Sequence, residues 1–303
     1  MKKLRFLIPT IFLLFASLEC AAYAFDEDVT VHVAYRTKDG LGYDNNYATL
    51  GLYYAPSALF SNSSCFSNFQ PLVDVRSHYI QSSHYASNVG VGLRTLLTDQ
   101  AIVGANVFYD YRNSSVSCYD QVGVGGELLN CFLDVRVNGY FPVSDRTRCS
   151  SPSTFLYTGG FFASRRFKEH AYQNVDLEFG RAFNGLPFAP YLAVGTYYLD
   201  SRRTRNTGIT HNTRAVGTRW RVMSKFWDFL TLEVNGSYDP IFKGRYQFYA
   251  AVDFALFSLC CSTLKEFFEC TPCRTCFEDR MRERIYRNEL IILKKKCFWT
   301  TNY

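Results

Sequence analysis

From Val29 to Phe257 the sequence repeats one pattern, a stretch of about ten residues in which apolar and polar side chains alternate with period two. In Ala101–Tyr111, Val103, Ala105, Val107, Tyr109 and Tyr111 share one face; Asn106 and Asp110 share the other with Ile102, Gly104 and Phe108. Asn130–Phe141 sets Leu133, Val135, Val137 and Phe141 against Asp134, Arg136, Asn138 and Tyr140. Ser87–Leu96 opposes Val89, Val91 and Leu93 to Asn88, Gly90, Gly92 and Arg94. Ala171–Arg181 opposes Val175, Leu177 and Phe179 to Asn174, Asp176 and Glu178, and Arg245–Phe257 sets six apolar residues from Tyr246 to Leu256 against Gln247 and Asp253. Successive side chains of a strand point to opposite sides, so this pattern dictates strands with two unlike faces.

A soluble sandwich would bury the apolar face and wet the polar one. A membrane barrel turns the apolar face to lipid and the polar face to a lumen, and alternation alone does not separate the two. Three features favour the barrel. The stretches have the length of a tilted membrane-spanning strand. Tyr and Phe recur at their ends, where aromatic girdles belong. Finally, Gly90, Gly92, Gly123 and Gly125 sit on the polar face, which suits a crowded lumen better than an open surface.

The predicted strands are 29–37, 46–55, 72–80, 87–96, 101–111, 119–128, 130–141, 171–181, 188–199, 213–224, 227–238 and 244–257, twelve in all. With the N-terminus in the periplasm, the outside connections include the long 142–170 and 200–212. The inside ones include the tight 97–100, 129, 182–187 and 225–226. That asymmetry is the one bacterial barrels show, with 56–71 the exception, long yet periplasmic.

The first residues fix the compartment. Lys2, Lys3 and Arg5 precede the apolar run Phe6–Ala16, and Ala22-Tyr23-Ala24 supplies a small-x-small site, so residues 1–24 read as a signal peptide cleaved after Ala24. A lipoprotein reading through Cys20 is disfavoured by the bulky, charged Glu19 before it. The chain is 48% hydrophobic and 17% aromatic, which excludes disorder. Its net charge of +6 includes no basic block beyond Lys294-Lys295-Lys296, so no nucleic-acid partner is expected.

Several motifs then fall in order: Pro71-Leu-Val-Asp-Val-Arg76, Asn88-Val-Gly-Val-Gly-Leu-Arg94, Gly104-Ala-Asn-Val-Phe-Tyr-Asp-Tyr111, Gly123-Val-Gly-Gly-Glu-Leu128 and Val137-Asn-Gly-Tyr-Phe-Pro142. With the last strand and Arg287-Asn-Glu-Leu-Ile-Ile-Leu293, this series resembles the β-domain of inverse autotransporters, the intimin and invasin family. The resemblance implies an all-β fold: a 12-stranded antiparallel transmembrane β-barrel, a short C-terminal periplasmic helix, and an extended tail that threads the lumen toward a displayed passenger. The sequence departs from that pattern by stopping at Tyr303, and it carries no N-terminal peptidoglycan-binding module, so it reads as passenger-less.

The domains are accordingly 1–24 signal peptide, 25–257 barrel, 258–287 Cys-rich periplasmic helix and linker, and 288–303 extended tail. Glu278 and Arg282 form an i,i+4 pair on the expected helix. The tail reaches at most about 50 Å, enough to cross a hydrocarbon core of about 30 Å; a solvated periplasmic tail is the alternative.

Export places the cysteines in an oxidising compartment, so Cys65, Cys118, Cys149, Cys260, Cys261, Cys270, Cys273, Cys276 and Cys297 are disulfide candidates. The spacing of Cys270, Cys273 and Cys276 also suits a thiolate zinc site, a reading that export disfavours. Cys131 reads as a small hydrophobe on the lipid face. An outer-membrane hydrolase would need a nucleophile beside a histidine. His84, His170 and His211 lie in outside loops near hydroxyls, but no nucleophile elbow or zinc signature accompanies them, and the chain reads as no enzyme and as carrying no cofactor. The carboxylates Asp110, Glu127, Asp134, Asp176 and Glu178, facing Arg76, Arg94, Arg136, Arg219 and Arg221, read as a lumen-facing polar network.

The expected function is that of a structural, surface-interaction (adhesin-type) envelope protein; the alternative is an outer-membrane pore for small solutes. The expected partners are outer-membrane lipid, the barrel-assembly machinery, and disulfide-linked envelope proteins or a host surface.

Overall fold

A computed structural model describes residues 29–56, 69–82, 84–98, 101–157, 162–183, 188–201, 214–226, 229–255 and 280–302. The signal peptide, residues 258–279 of the helix and linker expected over 258–287, with Glu278, His211, and Cys65, Cys260, Cys261, Cys270, Cys273 and Cys276 lie outside the described residues.

Twelve strands close into an antiparallel barrel. In chain order they are β1 (Val29–Arg36), β2 (Tyr47–Tyr54), β3 (Phe69–Ile80), β4 (His84–Thr98), β5 (Ala101–Asn113), β6 (Cys118–Asn130) and β7 (Asp134–Pro142). After a long excursion follow β11 (Gln173–Ala182), β12 (Tyr191–Asp200), β13 (Arg214–Phe226), β14 (Leu230–Asp239) and β15 (Lys243–Ala255). Each pairs with its sequence neighbour, and β1 closes the ring on β15, with Val33 opposite Val252. All twelve expected strands are present, with ends displaced by a few residues. The largest displacement is at the start of β7, which begins at Asp134 rather than residue 130.

The excursion between β7 and β11, expected as the loop 142–170, carries three further strands: β8 (Thr147–Cys149), β9 (Ser153–Leu156) and β10 (Phe162–Ala171). They form a second, four-stranded sheet with β16 (Leu293–Asn302), the last strand of the chain. Alternation failed to announce this sheet because its residues do not divide into a lipid face and a lumen face.

The two faces of the barrel carry the sequence's two patterns. Val33, Leu50, Val75, Val91, Val107, Val137 and Val194 are exposed on the outside, an aliphatic band for lipid. Tyr35, Tyr79, Tyr85, Tyr238 and Tyr246 crowd that surface near one rim, where Tyr85 and Tyr111 pack at 5.6 Å; Phe188 and Phe226 pack at 5.4 Å near the other. Such amphipathic rings belong at the two membrane interfaces.

Candidate functional site

The lumen is the molecule's polar interior, and a segment of the chain itself runs through it. A barrel of about eight strands is filled by its own side chains, whereas larger barrels leave space inside. Here the segment 280–293 occupies that space. Arg280 sits at the β6–β7 end, donating to the Asn130 carbonyl at 2.8 Å and to Asp134 at 2.7 Å. Met281 packs on Ile102 and Leu129, and Ile285 on Tyr53, Leu72 and Phe108. Further along, Leu290 meets Tyr47, Ile80 and Ala86, Ile291 meets Tyr119 and Ala171, and Ile292 meets Tyr172, Tyr197 and Phe242. These partners progress from the β6–β7 turn to the opposite rim, so the segment traverses the barrel. Residues 280–287, expected to be periplasmic, thus lie within it.

The wall receives the segment through charges. Arg287 is held by Asp110, Nη1 at 2.8 Å and Nη2 at 2.5 Å, and both side chains are 2% exposed. Glu289 accepts from Arg76 at 3.1 Å and from the Tyr47 hydroxyl at 2.8 Å. The Asn288 amide donates to the Tyr140 hydroxyl at 2.7 Å. The Arg94 guanidinium donates to the carbonyls of Arg280, Met281 and Glu283, and that of Arg112 to the Ile291 carbonyl, satisfying backbone acceptors that have no ladder partner here. Glycine makes room: a Cβ on Gly123 would stand 2.7 Å from Arg287, and one on Gly92 2.7 Å from Ile285.

The ten residues expected in the lumen network all face it, and most pair with one another. Arg94 binds Glu127 at 2.6 Å. Arg136 lies between Asp134 at 3.4 Å, Glu127 at 3.8 Å and Glu178 at 3.9 Å. Arg219 reaches Asp176 at 3.1 Å and Glu178 at 3.2 Å, and Arg221 reaches Glu178 at 2.6 Å. Three members form ion pairs with the traversing segment and so differ from a wall-only network: Asp110 pairs with Arg287, Asp134 with Arg280, and Arg76 bridges wall Asp74 at 2.5 Å and segment Glu289. Sequence reasoning missed Arg36, Asp74, Arg112, Glu233, Arg284, Arg287 and Glu289. The signal for the last two was their place in an otherwise extended, apolar segment; for the glycines it was their position on the polar face.

One wall cluster has the connectivity of a nucleophile, base and orienting group. Thr49 Oγ1 lies 2.8 Å from His78 Nδ1, and His78 Nε2 lies 2.6 Å from Asn88 Oδ1. His78 is 0% exposed, and Asn88 Nδ2 also donates to Asp110 and to the Glu289 carbonyl. All three side chains are buried, and through Asn88 the cluster braces the wall beneath the segment. Of the loop histidines, His170 Nδ1 contacts Thr147 Oγ1 at 2.8 Å, and His84 lines a cavity of about 200 Å³ at the outer mouth with Arg112, Glu169 and Lys294. Beside it, burial pushes the Tyr43 phenol above its ordinary pKa, leaving its hydroxyl a donor to Gln247 at 2.9 Å. Tyr172, at the foot of the second sheet, is pushed up to about 12 by the same cause.

Cys118, Cys149 and Cys297, expected in disulfides, are free and exposed. Phe167 of β10 stands opposite Cys297, and Lys168 opposite Cys149, so these two thiols emerge on opposite faces of the sheet and do not meet. Cys131, expected on the lipid face, is exposed at the β6–β7 turn instead, because β7 starts later than its alternation suggested. Among the described residues no group of His, Cys, Asp and Glu is arranged to hold a metal.

A closed antiparallel barrel with a lipid-facing aliphatic band, aromatic rims and a charged interior defines an outer-membrane β-barrel protein. Residues 74–193 match the family described as inverse autotransporter, beta-domain, and the chain is a protein of the bacterial outer membrane. In fold it is similar to a membrane protein solved in a study of in-meso crystallization, with 18% identity, 89% of this chain and 100% of that chain covered, and a TM-score of 0.58. It also aligns with the COG4313 outer membrane channel from Pseudomonas putida F1 (13% identity, 76% and 97% covered, TM-score 0.47). The alignment with KdgM porin has 7% identity, covers 74% and 98%, and has a TM-score of 0.43. No curated protein matches the sequence.

Proposed function

We propose that this chain is a self-sealed display barrel, a structural and surface-interaction protein of adhesin type. The wall spans the outer membrane, residues 280–293 seal the lumen, and β16 is presented outside with the sheet built on β10. The observation that carries this reading is the pairing of segment and wall charges, Arg287 on Asp110, Arg280 on Asp134 and Glu289 on Arg76. A buried ion pair is costly to break from one side, so the segment is part of the folded barrel and not a passing occupant. No catalytic step is assigned to any residue. Outer-membrane lipid surrounds the aliphatic band, the barrel-assembly machinery inserts the wall, and the exposed thiols of Cys118, Cys149 and Cys297 offer links to envelope proteins or a host surface.

The second reading is a pore for small solutes, and one observation favours it. A cavity of about 80 Å³ remains beside the segment, lined by Arg36, Arg219, Arg221 and Gln247 among others. Conductance of the purified chain in a planar bilayer separates the two. A closed full chain, with steady current after residues 280–303 are deleted, supports the sealed barrel; steady current from the full chain supports the pore. Retention of the heat-modifiable gel shift shows that the deletion variant is folded.

A further inference from the structure

The second sheet carries a charge arrangement that the lumen does not use. β10 and β16 pair along ten positions, with Lys168 directly opposite Lys296, His170 opposite Lys294 and Arg166 opposite Phe298. Opposed residues of antiparallel strands share a face, as do every second residue along each strand. Arg166, Lys168, Lys294 and Lys296 therefore lie on one face of the ribbon, and Arg166 and Lys296 are exposed. The sole carboxylate of β8, β9, β10 and β16 is Glu169; it is buried on the other face, where Ser114 donates to it.

The ribbon has a fixed base. Ala171 and Leu293 are buried at the mouth with Tyr119 and Ile291, and Lys295 and Lys294 reach the rim through Ser115 and the Ile241 carbonyl. From that base, ten paired residues extend about 30 Å at a strand's rise of about 3.3 Å per residue. Cations on one face recur about every 6.6 Å, a linear array and not a single pocket.

We propose that this face binds an extended anionic polysaccharide, one bearing sulfate or carboxylate groups along its length; the proposal rests on the surface placement of β16 argued above. The polymer's affinity comes from counterion release and falls with salt, as for any polyelectrolyte held by Lys and Arg. The Phe298 ring, 5.7 Å from Lys296 Nζ, supplies the apolar platform on which the C–H face of a sugar ring stacks. The array projects away from the mouth, whereas lipid headgroups lie in the plane of the rim, so the polymer and not the membrane is the occupant.

The test uses the full chain in nanodiscs of neutral lipid, where both ends of the barrel are open to solution. Dextran sulfate, uncharged dextran and polyglutamate of matched length are titrated against it. Dextran sulfate is expected to bind at least tenfold more tightly than either of the others, and more weakly as salt rises. Lys296→Glu is expected to reduce that binding at least tenfold while leaving amide exchange across β10 and β16 unchanged. A merely damaged sheet would exchange faster. Equal binding of dextran sulfate to the wild type and the variant overturns the proposal. Polyglutamate binding as tightly as dextran sulfate would make the partner an acidic polypeptide, and displacement of dextran sulfate by anionic lipid vesicles at equal charge would make it a membrane; either also overturns it. Because nanodiscs expose both ends, a tail found in the periplasm of cells would defeat the display reading without changing this result.

Discussion

Arg287 and Asp110, 177 positions apart in sequence, form a two-bond ion pair inside the barrel, with both side chains 2% exposed. Asp110 also accepts from Asn88 at 2.7 Å and Gln121 at 3.1 Å, so the wall pre-arranges its carboxylate to meet a cation that arrives from the chain's last turn through the lumen.

Removing that cation strands a buried carboxylate. Arg287→Ala is expected to cost about 3–5 kcal/mol, seen as a lower urea midpoint in detergent micelles. Asp110→Asn added to it should restore part of the loss, since a carboxamide there carries no buried charge and its oxygen still accepts from Asn88. A double variant no more stable than the single one would show that the pair's charge is not what holds the segment.

The β1–β2 connection offers a steric probe. Gly42 has φ of 81°, and a Cβ there would lie 2.7 Å from the Ile292 Cα; the Leu293 amide donates to its carbonyl at 3.4 Å. Gly42→Val combines a left-handed backbone position with overpacking, at about 1–3 kcal/mol. Hydrogen exchange at Leu293 is expected to rise by tenfold or more while amides of β5 stay unchanged. Equal protection at Leu293 would mean that the rim does not grip the segment.

Lipid exposure of the aliphatic band has its own test. Val91 lies mid-strand, exposed, opposite Val73 and Val107. Val91→Arg should destabilise the barrel by about 2–4 kcal/mol, the cost of a cation at the bilayer midplane. An Arg tolerated without loss in bilayers would contradict a lipid-facing role for this face.

How much of this was readable from sequence depends on which periodicity each segment obeys. The strands of the barrel were legible because each separates Val, Leu and Tyr from Asp, Arg and Asn with period two, as in Val103–Tyr111. β10, with the sequence FASRRFKEHA, shows no such division, since both its faces carry charge and neither meets lipid. The wall members of the lumen network were legible because charge on the polar face of a spanning strand has nowhere else to go. Arg287 and Glu289 were not, because their partners are fixed only when the chain returns through a barrel that must first exist. The disulfide expectation for Cys118, Cys149 and Cys297 rested on compartment, which does not specify which thiols come within reach.

Thiol chemistry gives an independent reading of the two ends. In variants keeping one cysteine each, Cys118, Cys149 and Cys297 are expected to react with a membrane-impermeant maleimide on intact cells. Cys131, at the β6–β7 turn, should react only after the outer membrane is permeabilised. Labelling of Cys131 on intact cells would invert the barrel.

The most direct test of the sealed display barrel is the position of an epitope tag appended after Tyr303. Antibody is added to intact cells and to cells with a permeabilised outer membrane. The account predicts full labelling of intact cells, because 280–293 cross the lumen and β16 pairs with β10 beyond the outer rim. Labelling that appears only after permeabilisation would leave the tail in the periplasm and contradict it.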